Sequence, residues 1–134
     1  MIGCLVGSEM CIRDRNIPLL AYSPLAGGLL TGKYLNENMP LDSRMTRVST
    51  IGDRVNKHAM KAVQEYMKIS KKFNIHPVHL ALAFCTKRPF MGSVIFGATT
   101  DEQLDVVIKG LDVDLNDEII KEISLVYKNY AVTF

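Results

Sequence analysis

The chain has 134 residues, 48% of them hydrophobic and 22% charged, a length and composition that suit one ordinary soluble domain. Its formal net charge is +2, and no dense Lys/Arg block offers the electrostatic footprint of a nucleic-acid binder. No apolar run approaches the roughly 18 residues that a bilayer-spanning helix needs, so neither nucleic acid nor membrane is an expected partner.

Residues 1–15, MIGCLVGSEMCIRDR, show weak periodicity and no turn chemistry leading into the segment from Asn16. The apolar part is too short, and the end too charged, for a signal peptide. The string resembles translated adapter or vector sequence, so a foreign or disordered leader is expected at 1–15 and the domain proper at 16–134. Cys4 and Cys11 fall in this leader, and Cys85 stands alone in the apolar run Leu80–Cys85. A lone buried thiol behaves as a small hydrophobe. No disulfide framework is suggested, and a reducing cytoplasm is the expected compartment.

Asn16–Tyr22 is a short apolar run with the length of a buried strand. Pro18 is expected at its start, where a missing N–H costs least. Ser23-Pro24 and Leu25-Ala26-Gly27-Gly28 read as a turn, and residues 35–54, rich in Asn, Pro, Ser, Arg and Asp, as a long loop. Long loops in compact domains are usually functional or disordered. From about Asn56 to Phe73 the spacing predicts a helix, with Val55, Ala59, Ala62, Tyr66, Ile69 and Phe73 on one face. Asn74 suits a left-handed close. A second, nearly all-apolar helix begins at Pro77, a good first helical position.

Gly92–Gly97 is a second buried-strand candidate. Thr100 and Gln103 have the spacing of a capping box, opening a helix whose face is Leu104, Val107, Ile108 and Leu111 and which Gly110 is expected to close. Asn116 caps a last helix with Ile119, Ile120, Ile123, Val126, Tyr127 and Tyr130 expected on its buried side. Strands alternating with helices imply an α/β fold with parallel strands. Two such strands are too few to cover both faces, so periodicity makes the chain a portion of a larger α/β protein without saying which.

The segment Tyr22-Ser-Pro-Leu-Ala-Gly-Gly-Leu-Leu-Thr-Gly-Lys-Tyr34 resembles the stretch after the seventh barrel strand of aldo-keto reductases. Val94-Ile-Phe-Gly-Ala-Thr-Thr-Asp-Glu-Gln-Leu104 resembles the eighth strand and the helix behind it. The likeness runs from Asn16 to Phe134 and is similar to the family's bacterial Tas-like subgroup. It implies the C-terminal portion of a TIM (β/α)8 barrel, about strands seven and eight with their helices, with NADPH lying across the barrel mouth. Barrel ligands bind on loops after strand C-termini, and phosphates often after strands seven and eight; both motifs follow strand candidates.

By the same resemblance, Tyr22 matches the aromatic that stacks on nicotinamide. Ser23, Leu25, Ala26 and Gly27 match the turn that holds the pyrophosphate, Lys33 a lysine that reaches it, and Arg44 an arginine at the adenosine end. Thr99 and Gln103 match contacts to the adenosine phosphate and ribose, at a helix start that favours anions. Val106 and Val107 stand where relatives commonly have Glu-Asn, and Arg47 lies near enough to Arg44 for the two to exchange roles. Each residue also has a plain structural reading. Gln103 can serve only the cap, Lys33 only solvent, Tyr22 only a core and the glycines only the turn. His76 and His79 lack a third ligand nearby and read as helix-start histidines rather than a metal site.

The family reduces aldehydes and ketones, small-molecule carbonyl substrates, by hydride transfer from NADPH. A tyrosine donates the proton, tuned by a lysine and an aspartate, with a histidine nearby. The resemblance puts those residues in the first half of the barrel, and none matches a position here. Tyr34, Tyr66, Tyr127 and Tyr130 fall outside the mouth strands. The expectation is an oxidoreductase portion that carries cofactor loops and is inactive by itself. Two alternatives remain open: a non-catalytic NADPH-binding regulatory subunit resembling potassium-channel beta subunits, and a free-standing helical interaction domain.

Overall fold

A computed structural model describes residues 17–37, 39–48 and 56–131. Two strands, β1 (Leu19–Tyr22) and β2 (Met91–Ile95), form a parallel sheet. Ala21 lies opposite Val94 and Tyr22 opposite Ile95, after an irregularity between Leu19 and Leu20. The chain between them passes through a 3₁₀ segment at Ala26–Thr31, a shorter one at Leu35–Glu37, and helices α1 (Arg44–Arg47), α2 (Lys57–Lys72) and α3 (Pro77–Thr86). Beyond β2 come α4 (Asp101–Lys109) and α5 (Asp117–Asn129). A long helical crossover between parallel neighbours is what parallel pairing requires.

The strands are shorter than their apolar runs. Pro18 has no N–H to give, so the ladder opens at Leu19, whose N–H donates to the Phe90 carbonyl at 2.8 Å. β2 starts one residue before the expected Gly92 and stops at Ile95, ahead of Gly97. The expected loop at 35–54 contains α1, built on Ser43: the Thr46 hydroxyl and the Arg47 N–H both donate to the Ser43 carbonyl, at 2.8 and 3.1 Å. Val55, expected on the first face of α2, lies outside the described residues.

Polar caps set the helix starts as their residue types dictate. Asn56 Oδ1 accepts the Ala59 N–H at 2.7 Å and Asn116 Oδ1 the Ile119 N–H at 2.9 Å. Each satisfies an N–H that the helix itself cannot. At α3 the cap is His76, whose Nδ1 accepts the Val78 N–H at 3.3 Å, followed by Pro77 at the first turn. Asn74 takes the left-handed conformation, φ +52°, behind α2. Gly110 closes α4 as expected, with φ −86°. A Cβ there would fall 2.5 Å from His79 Cδ2.

Among the described residues, three apolar clusters hold the helices. Ala62, Ile69, Leu80, Ile119, Ile123 and Val126 join α2, α3 and α5. Leu29, Tyr34, Met45 and Val63 fix the long crossover against α2. Val78, Leu82 and Val107, with Leu25, Val94 and Val106 against them, bind α3 and α4 to one face of the sheet. Lys72 bridges α2 to α5 through Glu118, at 3.3 Å, and Glu122.

Two expected faces differ. On α4 only Val107 is buried, while Leu104 and Ile108, and Leu111 just beyond its end, are exposed. On α5 Tyr127 is exposed although Ile119, Ile123 and Val126 are buried. The apolar period marks which residues can be covered, and among the described residues nothing packs over these. The sheet shows the same asymmetry. Ala21 and Val94 face the helices, whereas Leu20 (63% exposed), Tyr22 (80%) and Ile95 (53%) form a bare opposite face.

Candidate functional site

Because β1 and β2 are parallel and paired to their last residues, the segments that leave them start side by side. The Ser23 N–H donates to the Ile95 carbonyl at 3.1 Å, extending the ladder into the first turn. The turn then curls left-handed: Ser23, Ala26, Gly27 and Gly28 have φ of 58°, 48°, 68° and 98°. For Ser23 and Ala26 this is an uncommon, strained conformation. The Ala26 N–H to the Ser23 carbonyl (2.9 Å) and the Gly28 N–H to the Leu25 carbonyl (2.8 Å) hold it.

Leu25 anchors this turn. Its half-buried side chain packs on Val78, Leu82 and Val107, so the turn after β1 is fastened to the helix after β2. This also resolves Val106-Val107. Val107 is core, and the Val106 carbonyl is 2.8 Å from His79 Nε2.

Lys33 folds back over the glycines. A Cβ at Gly28 would lie 3.0 Å from Lys33 Cε and 3.3 Å from Nζ, and the ammonium sits 4.9 Å from the Tyr34 ring centroid. Thr31 supports this fold: its hydroxyl donates to the Gly28 carbonyl at 2.8 Å and accepts the Lys33 N–H at 3.4 Å. Sequence reasoning assigned Thr31 no part; its only signal was a Thr two residues before the lysine, a common local backbone partner. Bare glycine backbone beneath an exposed ammonium is an arrangement that fits a phosphate group. Tyr34 is buried, with its hydroxyl unpartnered among the described residues.

Arg44 is exposed at the start of α1, and Arg47 is paired with Asp42 through Nη2 at 3.2 Å and Nε at 3.3 Å. That bond separates two arginines the sequence left interchangeable. On the other loop, Gln103 Oε1 accepts both the Thr99 N–H (3.1 Å) and the Thr99 hydroxyl (3.2 Å). The expected capping box is therefore only half formed. Thr100 Oγ1 accepts the Gln103 N–H at 3.3 Å, but the Gln103 side chain turns to Thr99, where two donors outcompete the single Thr100 N–H. Its amide oxygen is committed, which leaves two N–H donors on the amide nitrogen for another group. The neighbouring Glu102 carboxyl is held below its usual range, chiefly by the Thr100 hydroxyl and next by its own backbone N–H.

The nine sequence-predicted residues thus divide. Tyr22 ends β1 and Ser23, Leu25, Ala26, Gly27 and Lys33 lie in the segment that follows it, while Thr99 lies in the loop leaving the adjacent strand and Gln103 in the first turn of α4. Arg44 stands apart on α1. An open groove of about 460 Å³ lies elsewhere, between α2 and α5, edged by Glu65, Lys68, Lys72 and Glu122. Its charges pair with one another, so it is a seam between helices rather than a reaction site. Burial pushes the Cys85 thiol up, with Arg88 partly offsetting it, which keeps it protonated and unreactive. Among the described residues no group of three or more His, Cys, Asp or Glu could hold a metal ion, and no helix is long and apolar enough to cross a membrane.

A sequence profile described as "Aldo/keto reductase family" matches residues 8–128. The chain is similar to protein tas of Escherichia coli (strain K12), 39% identical over 126 residues that cover 94% of this chain and 36% of that protein. It is similar to a probable voltage-gated potassium channel subunit beta of Oryza sativa subsp. japonica, 34% identical over 116 residues, 83% of this chain and 35% of that one. It also matches the NADH-specific methylglyoxal reductase of Escherichia coli (strain K12), 29% identical over 105 residues, 78% of this chain and 32% of the enzyme. The chain spans about a third of the length of the curated relatives it matches.

Proposed function

The chain belongs to the aldo/keto reductase family, and from that premise we propose that residues 16–134 supply the NADPH-binding loops of an oxidoreductase whose complete form reduces aldehydes and ketones. In this reading β1 and β2 are the seventh and eighth strands of a (β/α)8 barrel. The single observation that carries it is the joint origin of the two loops. They leave adjacent ends of hydrogen-bonded parallel strands and are tied through Leu25 and Val107. Barrel enzymes use that same end of their strands for ligands.

Each residue then has a task. Tyr22, exposed at the strand end, offers its ring to the nicotinamide. Ser23, Leu25, Ala26 and Gly27 lay backbone against the pyrophosphate, and Lys33 supplies a charge to it. Arg44, which has no carboxylate partner among the described residues, serves the adenosine end. Thr99 orients Gln103, whose amide N–H groups donate to ribose or phosphate oxygens. NADPH, when bound, supplies the hydride. The family's Asp, Tyr, Lys and His set matches no position here, so this chain by itself is expected to be inactive. The cytoplasm is the compartment we propose, on its cysteine usage.

A swap tests the cofactor assignment. The matched segment of the Escherichia coli NADH-specific methylglyoxal reductase is replaced by the corresponding residues of this chain, and both nucleotides are titrated. The expected result is use of NADPH, with Lys33→Ala raising its Kd about tenfold, as for loss of one charge-assisted contact. A chimera that folds and keeps its preference for NADH would overturn the reading. The likeness to potassium-channel beta subunits favours a second reading, a regulatory subunit that binds NADPH without catalysis. The two part on whether polypeptide joined to this chain carries the Asp, Tyr, Lys and His set.

A further inference from the structure

We infer that His76 is an acid-sensitive latch: its neutral ring closes the first turn of α3, and that turn seats the loop after β1. The consequence for nucleotide rests on the reading proposed above, whereas the latch is a property of this chain's own residues. His76 caps α3 through Nδ1, which accepts the Val78 N–H at 3.3 Å. An imidazole nitrogen accepts only while it carries no proton, so this cap exists in one protonation state. The caps of α2 and α5 are the asparagine amides of Asn56 and Asn116, and that of α4 is the Thr100 hydroxyl. None of those three titrates near neutral pH, so among these helices α3 is the one whose cap acid removes.

A second histidine fixes the geometry. The His79 ring lies with its centroid 5.0 Å from that of His76. Its Nε2 is 2.8 Å from the Val106 carbonyl of α4, and a carbonyl only accepts, so that nitrogen carries a proton. Gly110 leaves room for the ring, since a Cβ there would come within 2.5 Å of it. His79 is thus pinned between two helices and stays in place when its neighbour gains charge. His76 itself is exposed, and acid reaches it without unfolding. A proton on Nδ1 then acts in three ways, all against the turn. It sets a donor against the Val78 N–H, places a cation at the positive end of the helix dipole, and charges a ring beside His79. The elements packed on α3 are α2, α4, the sheet and the Ala26–Thr31 segment. Among their described residues no carboxylate offsets the charge. Lys72 of α2 is held by Glu118 and Glu122, Asp105 and Lys109 of α4 are exposed and pair with neither ring, and His79 is the ionisable neighbour that acts on His76.

What the turn supports makes the latch more than a local cap. Val78, the second residue of α3, is buried in one cluster with Leu82 and Val107, and Leu25 packs against that cluster. The Leu25 carbonyl in turn accepts the N–H groups of Gly28 and Leu30, at 2.8 and 3.3 Å. When the first turn of α3 opens, the Leu80 N–H bond to the His76 carbonyl goes with it. Val78 then leaves the cluster, and the strained left-handed turn after β1 loses a wall of its anchor. Burial, and next His79, hold His76 below the usual histidine range. The latch is therefore closed above about pH 6.5 and opens as pH falls through and below that value. Under the cofactor reading, acid loosens the turn that holds the pyrophosphate.

Amide hydrogen exchange of the full 134-residue chain tests the latch, read residue by residue without nucleotide from about pH 7.5 to about pH 5 and corrected for the intrinsic rate. The expected result is a fall of about tenfold in the protection of the Val78 and Gly28 amides. The Ile119 amide, capped by Asn116, keeps its protection over the same range. His76→Asn and His76→Ser retain a cap that does not titrate, and both hold Val78 and Gly28 level. His76→Lys is charged throughout and shows the low protection already at about pH 7.5. The inference is overturned by a Val78 amide whose protection ignores pH or is absent even at about pH 7.5. It is overturned equally by the same fall in His76→Asn and His76→Ser, or by a fall that stops within α3 and leaves Gly28 unchanged. Nucleotide takes no part in the measurement. A chimera that keeps its preference for NADH therefore leaves the latch standing, and a flat exchange profile leaves the cofactor assignment standing.

Discussion

The α2–α5 layer and the sheet with its loops are built from similar apolar content and end in different states. In the helical layer, Ile69, Ile119, Ile123 and Val126 find partners within the chain and are buried. In the sheet, Val94 packs against the cluster of α3 and α4, but Leu20, Tyr22 and Ile95 face outward. Apolar surface is worth roughly 25 cal/mol per Å² only when something removes it from water. The helices can do this pairwise, since each contributes one stripe. A parallel strand needs cover on both faces and neighbours on both edges. The layer that needs only local partners is complete, and the layer that needs many strands is open.

Substitutions sharpen that contrast, beginning with the core. Leu82→Ala, beneath Leu25 and almost fully buried, is expected to cost about 2–5 kcal/mol by urea titration followed by circular dichroism. A loss no larger than that of an exposed leucine would mean the Leu25 cluster is not a packed core. Gly28→Ala forces a side chain into φ +98° beside Lys33 and is expected to cost about 1–2 kcal/mol; a neutral result would remove the conformational argument for that glycine. Asn116→Ala, which deletes the cap on the Ile119 N–H, is expected to cost about 1 kcal/mol, read as lost exchange protection in the first turn of α5.

Smaller effects are expected at the periphery. Burial, and then His79, hold His76 below the usual histidine range. Its Nδ1 must be unprotonated to accept the Val78 N–H. A group with its folded pKa depressed binds more protons when unfolded, so its contribution is complete above the unfolded value near 6.5 and is lost as pH falls through and below it. His76→Asn retains a cap and is expected to flatten that part of the stability profile; an unchanged pH dependence would assign it elsewhere. Leu20→Ala, on the bare sheet face, is expected to change stability by under about 0.5 kcal/mol in the isolated chain. A large loss would mean the face is covered after all.

Much of the fold was legible because the relevant signals are local. Asn56 and Asn116 cap α2 and α5 as their spacing predicts, Asn74 turns left-handed, and the two apolar runs become parallel strands. Each decision involves a handful of neighbouring residues. The α4 face departs from its expected burial because periodicity reports which residues share a side, never whether a partner is there to cover it. The capping box fails at Gln103 because Thr99, one residue outside the motif, offers two donors. The signal at Thr31 is weak, since its bond to the Gly28 carbonyl exists only once the glycines have turned.

The sequence by itself determined the order of the two strands and four longer helices, the asparagine caps and the family, since propensity, capping and motif spacing are properties of short stretches. Only the tertiary structure decided that Leu25 locks one loop to the helix of the other, that Arg47 is held by Asp42 while Arg44 is not, and that Gly110 exists to admit His79. Those outcomes depend on distances between residues far apart in the chain, which are fixed when the helices pack on the sheet.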